Sequence, residues 1–342
     1  MLSEADICIA ILNWNGIRHL QEFLPSVLSR SGKARIRVID NASTDQSVEW
    51  IRQNHPGVEL DVLDKNYGFT GGYNRGIARL DAPLVVLLNS DVEVREGWLQ
   101  PLLRSMNTNP DLAACQPKIL NLRKPGYFEY AGACGGFLDM LGYPFCRGRI
   151  FDVCEKDEQQ YQAGREVFWA SGACMMVRRD AFLKAGGLEE AFFAHMEEID
   201  LCWRFWHQGW KIRIEPASEV LHLGAGTLAK SNPRKTYLNF RNGLAMLYIN
   251  NFGFQTYALI LLRLMLDGLA GIQFLLKGEG RNLTAILKAH FAFYRQFSYW
   301  QKRRKANAGA AIHPIPPEIQ LRGSIVWQYF VRGIRKFSDL KF

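Results

Sequence analysis

Asn89-Ser90-Asp91 follows an apolar run from Leu84 to Leu88, so a buried strand is expected to deliver an amide, a hydroxyl and a carboxylate to its carboxyl end. Open α/β sheets hold phosphorylated ligands and metals in the crevice there. One carboxylate beside small polar groups suits a hard cation that offsets phosphate charge, which makes Asp91 a candidate ligand for magnesium or manganese. Asn89 is then placed to bond a sugar or a water. A second acidic set, Glu197, Glu198 and Asp200, interrupts an apolar and aromatic stretch. On a helix Glu198 lies near the apolar flank, where desolvation raises a carboxyl pKa toward that of a useful general base, and Asp200 can pair with Arg204 four residues on. His222 closes a short strand and offers a nitrogen ligand to the same cation. Arg241-Asn242 offers a guanidinium fork to a diphosphate, with packing against the sheet as the plain alternative.

Two further segments fit the same chemistry. Asp40-Asn41-Ala42-Ser43-Thr44-Asp45 follows a strand and opens a helix, so Asp40 can accept from a sugar hydroxyl or a base while Asp45 caps the helix. Asn66 to Gly76 reads NYGFTGGYNRG. Its glycines would let a backbone approach a ligand and a helix start there, although it is neither a dinucleotide fingerprint nor a Walker loop. Taken singly, a solvated helix face, a capping turn or a glycine-rich turn explains each segment.

These residues need strand ends and helix starts to hold them. Strands are expected at 7–12, 36–40, 58–63, 84–88 and 112–116, with helices at 20–30, 46–54, near 72–80 and at 97–107. That alternation predicts a mostly parallel sheet covered by helices on both faces. The segment 121–164 shows no clear period. Further on, a strand is expected over Val167–Val177, a helix within 189–208, strands at 211–215 and 219–223, and a helix at 233–250.

The chain has 342 residues, 48% apolar and 22% charged, which fits an ordered protein of one large domain plus an appendage. Seven scattered cysteines without a CxxC pair argue against a disulfide framework or structural zinc and for reduced thiols in the cytosol. Glu4 and Asp6 precede a short strand-like run, so no secretory leader is expected. The net charge of +9 resides in the tail: from Lys277 onward 13 basic groups face three acidic ones. Residues 257–276 are strongly apolar but carry Arg263 and Asp267, which favours an interfacial or buried helix over a span. A basic tail beside such a helix points to an anionic membrane surface and a peripheral location at the inner face of the cytoplasmic membrane. Acidic clusters in a near-neutral body argue against nucleic acid as the main partner.

Together these motifs resemble the family 2 glycosyltransferases, in their rhamnosyltransferase-like branch with a GT-A fold, over Asp6 to about Asn250. Asn13-Trp14-Asn15-Gly16 is similar to the family's first-strand motif against the nucleotide, and Asp40 to Asp45 to its nucleotide-binding acidic turn. Asn66-Tyr67-Gly68-Phe69 and Asn74-Arg75-Gly76 are similar to its glycine-rich segment. Asn89-Ser90-Asp91 stands in the place of the metal-binding DxD motif, with Asn89 replacing the first acid. Ser171 to Val177 and Gly186 to Phe193 resemble the acceptor-side strand and loop. Glu197 to Arg204, followed by Gly209-Trp210, resembles the ED motif region. There Glu198 takes the place of the usual aspartate base, with Asp200 as the neighbouring alternative. His222 matches the metal-ligand histidine.

The resemblance implies a dTDP- or UDP-linked sugar donor, with rhamnose among the candidates, a magnesium or manganese ion, and inversion at the anomeric carbon. It implies a saccharide or polyprenyl-diphosphate-linked glycan as acceptor in surface glycan synthesis. Residues 1–250 would form the transferase domain, 1–120 serving the nucleotide and 121–250 the acceptor. Residues 251–342 would form a helical, basic, membrane-associating region. Trp169, Phe192, Phe193 and Trp203 are candidate walls for a sugar ring. A nucleotidyltransferase would want an early glycine-rich loop with a lysine, which is missing. A non-catalytic saccharide- or nucleic-acid-binding module is the other alternative.

Overall fold

The computed structural model describes residues 1–224 and 232–342. The amino-terminal half alternates strand and helix. β1 (Ile7–Asn13) is followed by α1 (Ile17–Arg30), β2 (Arg35–Asp40), α2 (Ser47–Asn54), β3 (Glu59–Val62), α3 (Gly68–Ala78) and β4 (Leu84–Asn89). Ile7, Cys8, Ile9, Ala10 and Ile11 are all buried, as expected of a central parallel strand covered on both faces. α1 buries Leu20, Phe23, Leu24 and Val27, an amphipathic stripe at helical spacing.

β5 (Val92–Val94), α4 (Leu99–Thr108) and β6 (Leu112–Asn121) follow. The segment without a clear sequence period folds into short strands: β7 (Gly136–Asp139), β8 (Pro144–Cys146), β9 (Arg149–Ile150), β10 (Val153–Cys154) and β11 (Arg165–Glu166). β12 (Cys174–Arg178), α5 (Arg179–Lys184), α6 (Glu197–His207) and β13 (Lys211–His222) complete the main sheet and its cover. The carboxyl-terminal part is helical: α7 (Pro233–Asn250), α8 (Gln255–Leu276), α9 (Gly280–Arg295), α10 (Phe297–Ala310) and α11 (Ile325–Phe330), with β14 (Gln320–Leu321) between the last two.

Among the described residues the main sheet has nine strands in the order β11-β13-β6-β12-β4-β1-β2-β3, with β5 pairing on β13. β4, β1, β2 and β3 run parallel, and β12 lies antiparallel between β4 and β6. The register sets Asn13 beside Asp40 and Leu12 beside Asn89, so the polar ends of three neighbouring strands share one edge. β13 pairs with β6 and β5, which brings His222 opposite Val92 and Asn121 at the same edge. A second sheet, β10-β9-β8-β7-β14, draws on both the middle and the end of the chain. Phe337 sits against Phe137 and Phe145, so the last residues pack into this second sheet's core.

Three elements differ from the sequence expectation. The expected strand over Val167–Val177 is only Cys174–Arg178. Val167 and Trp169 are buried, but their backbones bond Ile212 and Gly136 before the chain turns at Ser171-Gly172. The two strands expected between 211 and 223 are one strand, with a register shift between Glu215 and Glu219 where Pro216 supplies no amide hydrogen. α3 starts at Gly68, not near 72, so the glycines lie inside the helix.

Candidate active site

The turn after β2 is braced from within. Asp40 is fully buried; it accepts from the Ser43 amide at 2.8 Å, the Ser43 hydroxyl at 2.7 Å and Asn13 Nδ2 at 2.8 Å. Asn15, at φ 51°, accepts from the Thr44 amide at 2.7 Å through its side chain. Asp45 accepts from the amides of Ile17 and Ser47, both at 3.0 Å. Asp40 and Asn15 therefore build the edge that a nucleotide would meet, rather than projecting from it. Asn13 Oδ1 is buried without a partner, and Trp14 is exposed above it.

The glycine-rich segment packs inside α3. A Cβ on Gly72 would lie 2.6 Å from Leu12, and one on Gly76 would lie 2.1 Å from Ile39. Those glycines let α3 press onto β1 and β2; they do not form a phosphate loop. Asn66 and Asn74 serve the frame as well. Asn66 Oδ1 accepts from the Gly68 amide at 2.8 Å and from Asn41 at 3.0 Å. Asn74 bonds both the amide and the carbonyl of Leu188 at 2.8 Å. Gly68, at φ 73°, lies under the Phe193 ring, where a Cβ would come within 2.5 Å. Asn41, read from the sequence only as part of a turn, is buried and ties this segment down by bonding Asn66, Gly68 and Tyr67.

Asp91 and His222 meet as expected, with Oδ1 and Nε2 3.1 Å apart and both residues buried. Sequence reasoning missed the third member. Glu129, 3% exposed, puts Oε2 3.1 Å from His222 Nδ1, an ion-pair approach off the line of a well-aligned hydrogen bond. No local signal marks Glu129, which comes from the stretch without a period. Burial pushes the His222 ring toward neutrality, but the flanking carboxylates of Asp91 and Glu129 outweigh it and raise its pKa to about 10. Burial likewise pushes both carboxyls up, and the ring offsets it, leaving Asp91 and Glu129 below their ordinary range. Asn89 donates its backbone amide to Ala173 at 3.0 Å. Among the described residues no three His, Cys, Asp or Glu side chains form a metal cage. Asp91 Oδ1 and His222 Nε2 converge, and once Nε2 yields its proton the pair suits a divalent cation whose other ligands come from phosphate and water.

α6 carries the other acidic set. Glu198 lies with its Cβ 3.8 Å from the position a Gly172 Cβ would take, one residue before Ala173, whose carbonyl accepts from the Asn89 amide. One oxygen of Glu198 and one of Glu197 are buried without a partner. Burial lifts Glu198 to about 7, against the opposing pull of backbone amides at the start of the helix. Burial, with the neighbouring Glu198 and Asp200 charges, raises Glu197 as well. Asp200 is not a second candidate in the cleft. It is fully buried, bonds the Arg204 guanidinium at 2.7 and 3.0 Å, and accepts from Asn250 at 2.7 Å.

Arg241 is engaged by the loop that precedes α6. Its guanidinium donates to the carbonyls of Ala191 at 2.8 Å and Phe192 at 3.0 Å. Asn242 donates to the carbonyls of Phe192, Ala194 and His195. That clamp holds a loop in which Phe193, His195 and Met196 all have positive φ, and the loop leads directly into Glu197 and Glu198. Of the candidate sugar walls, Trp169, Phe192 and Trp203 belong to the core, and Phe193 alone stands at the surface.

A parallel sheet edge lined by Asn13, Asn89 and Asp91, crossed by an antiparallel strand and a helix bearing Glu198, defines the GT-A class of sugar transferase. Two solved structures share the fold. GalNAc-T7, with UDP, GalNAc and Mn2+, matches with a TM-score of 0.55 at 16% identity, over 71% of this chain and 47% of that one. Residues 1–349 of S. aureus TarS, with UDP-GlcNAc, match with a TM-score of 0.54 at 13% identity, over 88% of both.

In sequence, the glycosyl transferase family 2 profile matches residues 8–186. An N-acetylglucosaminyl-diphospho-decaprenol L-rhamnosyltransferase of Mycobacterium tuberculosis is 33% identical over 223 residues, 60% of this chain and 71% of that protein. The low-salt glycan biosynthesis hexosyltransferase Agl10 of Haloferax volcanii is 26% identical over 69% of this chain and 74% of that protein. The chain belongs to glycosyl transferase family 2 and is a glycosyltransferase.

Proposed function

We propose that this enzyme transfers a sugar, with inversion, from a nucleoside-diphosphate donor to a lipid-linked saccharide in surface glycan synthesis. The observation that carries the reading is the pair of sites at one sheet edge: Asp91 with His222, and a half-buried Glu198 whose carboxyl is raised to about 7. The donor would lie along the carboxyl edge of β1, β2 and β4, over the braced turn of Asn13, Asn15 and Asp40. Asp91 and His222 would hold a magnesium or manganese ion, which supplies charge for the leaving diphosphate. Glu129 fixes the His222 ring from behind, so Nε2 faces Asp91.

Glu198 accepts the proton of the acceptor hydroxyl as that oxygen attacks the anomeric carbon, and the diphosphate leaves from the opposite face. One displacement needs no enzyme nucleophile and inverts the centre. Phe193, exposed on the loop that leads into α6, would offer an apolar face to the acceptor. Asp200 and Arg241 act on geometry: the first anchors α6, the second holds the loop that starts it.

An N-acetylglucosaminyl-diphospho-decaprenol L-rhamnosyltransferase is among the relatives, which supports a polyprenyl-diphosphate-linked acceptor; we read the donor as dTDP- or UDP-linked and the place of work as the inner face of the cytoplasmic membrane. We assign the transfer chemistry to residues 1–250 and contact with an anionic membrane surface to residues 251–342. A panel of nucleotide sugars, scored with manganese for protection against thermal unfolding and for turnover, tests the reading. A dTDP- or UDP-sugar is expected to raise Tm and to be consumed. Protection by none of the panel would refute it.

A further inference from the structure

The carboxyl-terminal helices present a surface that the transfer chemistry does not use. α8 turns Thr256, Ile260, Arg263, Asp267 and Gly271 inward, where they are buried. Arg263 donates to the Leu141 carbonyl at 2.7 Å and lies over the Tyr143 ring. Asp267 accepts from the Tyr143 hydroxyl at 3.3 Å and lies 3.1 Å from His290 Nε2. The two charges that interrupt the apolar sequence are thus the ones that bolt the helix to the body. The outward face keeps Tyr257, Leu261, Met265, Leu269, Ile272 and Leu276, spaced three or four apart and between 52% and 83% exposed. A run of apolar side chains this long rarely stays in water.

The neighbouring α9 adds exposed Leu287, Phe291 and Tyr294, and beside them a row of cations, Arg281, Lys288 and Arg295, seven residues apart. A groove of about 450 Å³ opens there, with Leu287 and Phe291 in its walls and Lys288 and Arg295 among its lining residues. Apolar walls between cations match an acyl chain below an anionic headgroup.

We propose that α8 and α9 form an in-plane seat on an anionic phospholipid leaflet. The α8 stripe and Phe291 enter the acyl boundary, and Arg281, Lys288 and Arg295 meet the headgroup phosphates. α8 has the length and hydropathy of a span, yet one flank is fixed to Leu141, Tyr143 and His290, so lipid cannot surround it. A second copy of the chain would bring its own cation row against this one, a repulsion that an anionic leaflet replaces with attraction. The basic run of α10 is a poorer seat. Arg303 pairs with Glu189 at 2.6 Å, and Arg304 bonds the carbonyls of Tyr248 and Asn251.

The inference rests on the lipid-linked acceptor reading above, and its test separates the two. Full-length protein is floated with vesicles of phosphatidylglycerol and phosphatidylcholine, alongside a Leu261→Glu, Leu269→Glu double variant and a Lys302→Gln, Lys305→Gln double variant. The wild type should float, less so at high salt. The glutamate variant should bind roughly tenfold or more weakly with unchanged melting, and the glutamine variant should bind as the wild type does. Turnover on a detergent-dispersed, short-chain polyprenyl-diphosphate saccharide tests the acceptor reading independently; its absence beside the expected flotation would sink the lipid-linked acceptor and leave the seat standing. Flotation of the glutamate variant equal to wild type, loss of flotation in the glutamine variant, or a wild-type dimer that ignores vesicles and falls apart in the glutamate variant would each overturn the seat.

Discussion

Two acidic segments that look alike in sequence fold to opposite ends. In Asp40 to Asp45 the carboxylates are saturated: Asp40 takes three hydrogen bonds while fully buried, and Asp45 takes two from backbone amides. In Glu197-Glu198 each residue keeps one buried oxygen without a partner, and Glu198 is raised to about 7. A buried polar group left unsatisfied costs free energy, so it persists where the protein gains something by it. In the proposed function the braced carboxylates serve as scaffold and the unsatisfied carboxyls at the helix start serve the chemistry. Asp200, three residues into α6, behaves like the turn and not like its own neighbours.

Substitutions should therefore separate cleanly. The largest effect is expected at Glu198. Glu198→Gln should lower transfer by about 10²–10⁴-fold, the range for a lost general base, with donor affinity kept. The same variant should melt higher at neutral pH. A carboxyl raised in the folded state holds its proton where the unfolded chain has lost it, so stability falls as pH rises from about 4.5 to about 7. The amide escapes that loss. Turnover near that of the wild type would move the base elsewhere.

Next comes the corner of Asp91, His222 and Glu129. Glu129→Gln should weaken apparent manganese affinity by roughly 10–100-fold while turnover at saturating metal recovers, because Glu129 acts through the ring behind it. An unchanged manganese titration would reduce Glu129 to packing. The smallest effect on chemistry belongs to the scaffold. Asp40→Ala should cost about 1–3 kcal/mol of stability, seen in urea unfolding, since it leaves the Asn13 and Ser43 donors unpaired. A variant as stable as the wild type, but unable to bind donor, would turn Asp40 from brace to ligand.

Legibility in the sequence followed the same division. Strand ends were readable because apolar runs stop at polar groups, and Asp91 with His222 came together as the motif order implied. The jobs of Asn66, Asn74 and Arg241 were not readable, since the same side chains that bond a phosphate also bond a carbonyl, and tertiary contacts with Gly68, Leu188 and Phe192 decide which. The glycines misled because close helix packing and close ligand approach ask for the same missing Cβ. Glu129 was invisible because its partner lies on a distant strand and its own segment has no period.

The central claim, that the base is a carboxyl poised by burial at the start of α6, meets its most direct test in the pH dependence of kcat/KM for the wild type. In the proposed role Glu198 works without its proton. Activity should climb through about 7 as that proton leaves, while Glu198→Gln shows no such limb. A profile flat across that range, or the same limb retained in the glutamine variant, would contradict the account.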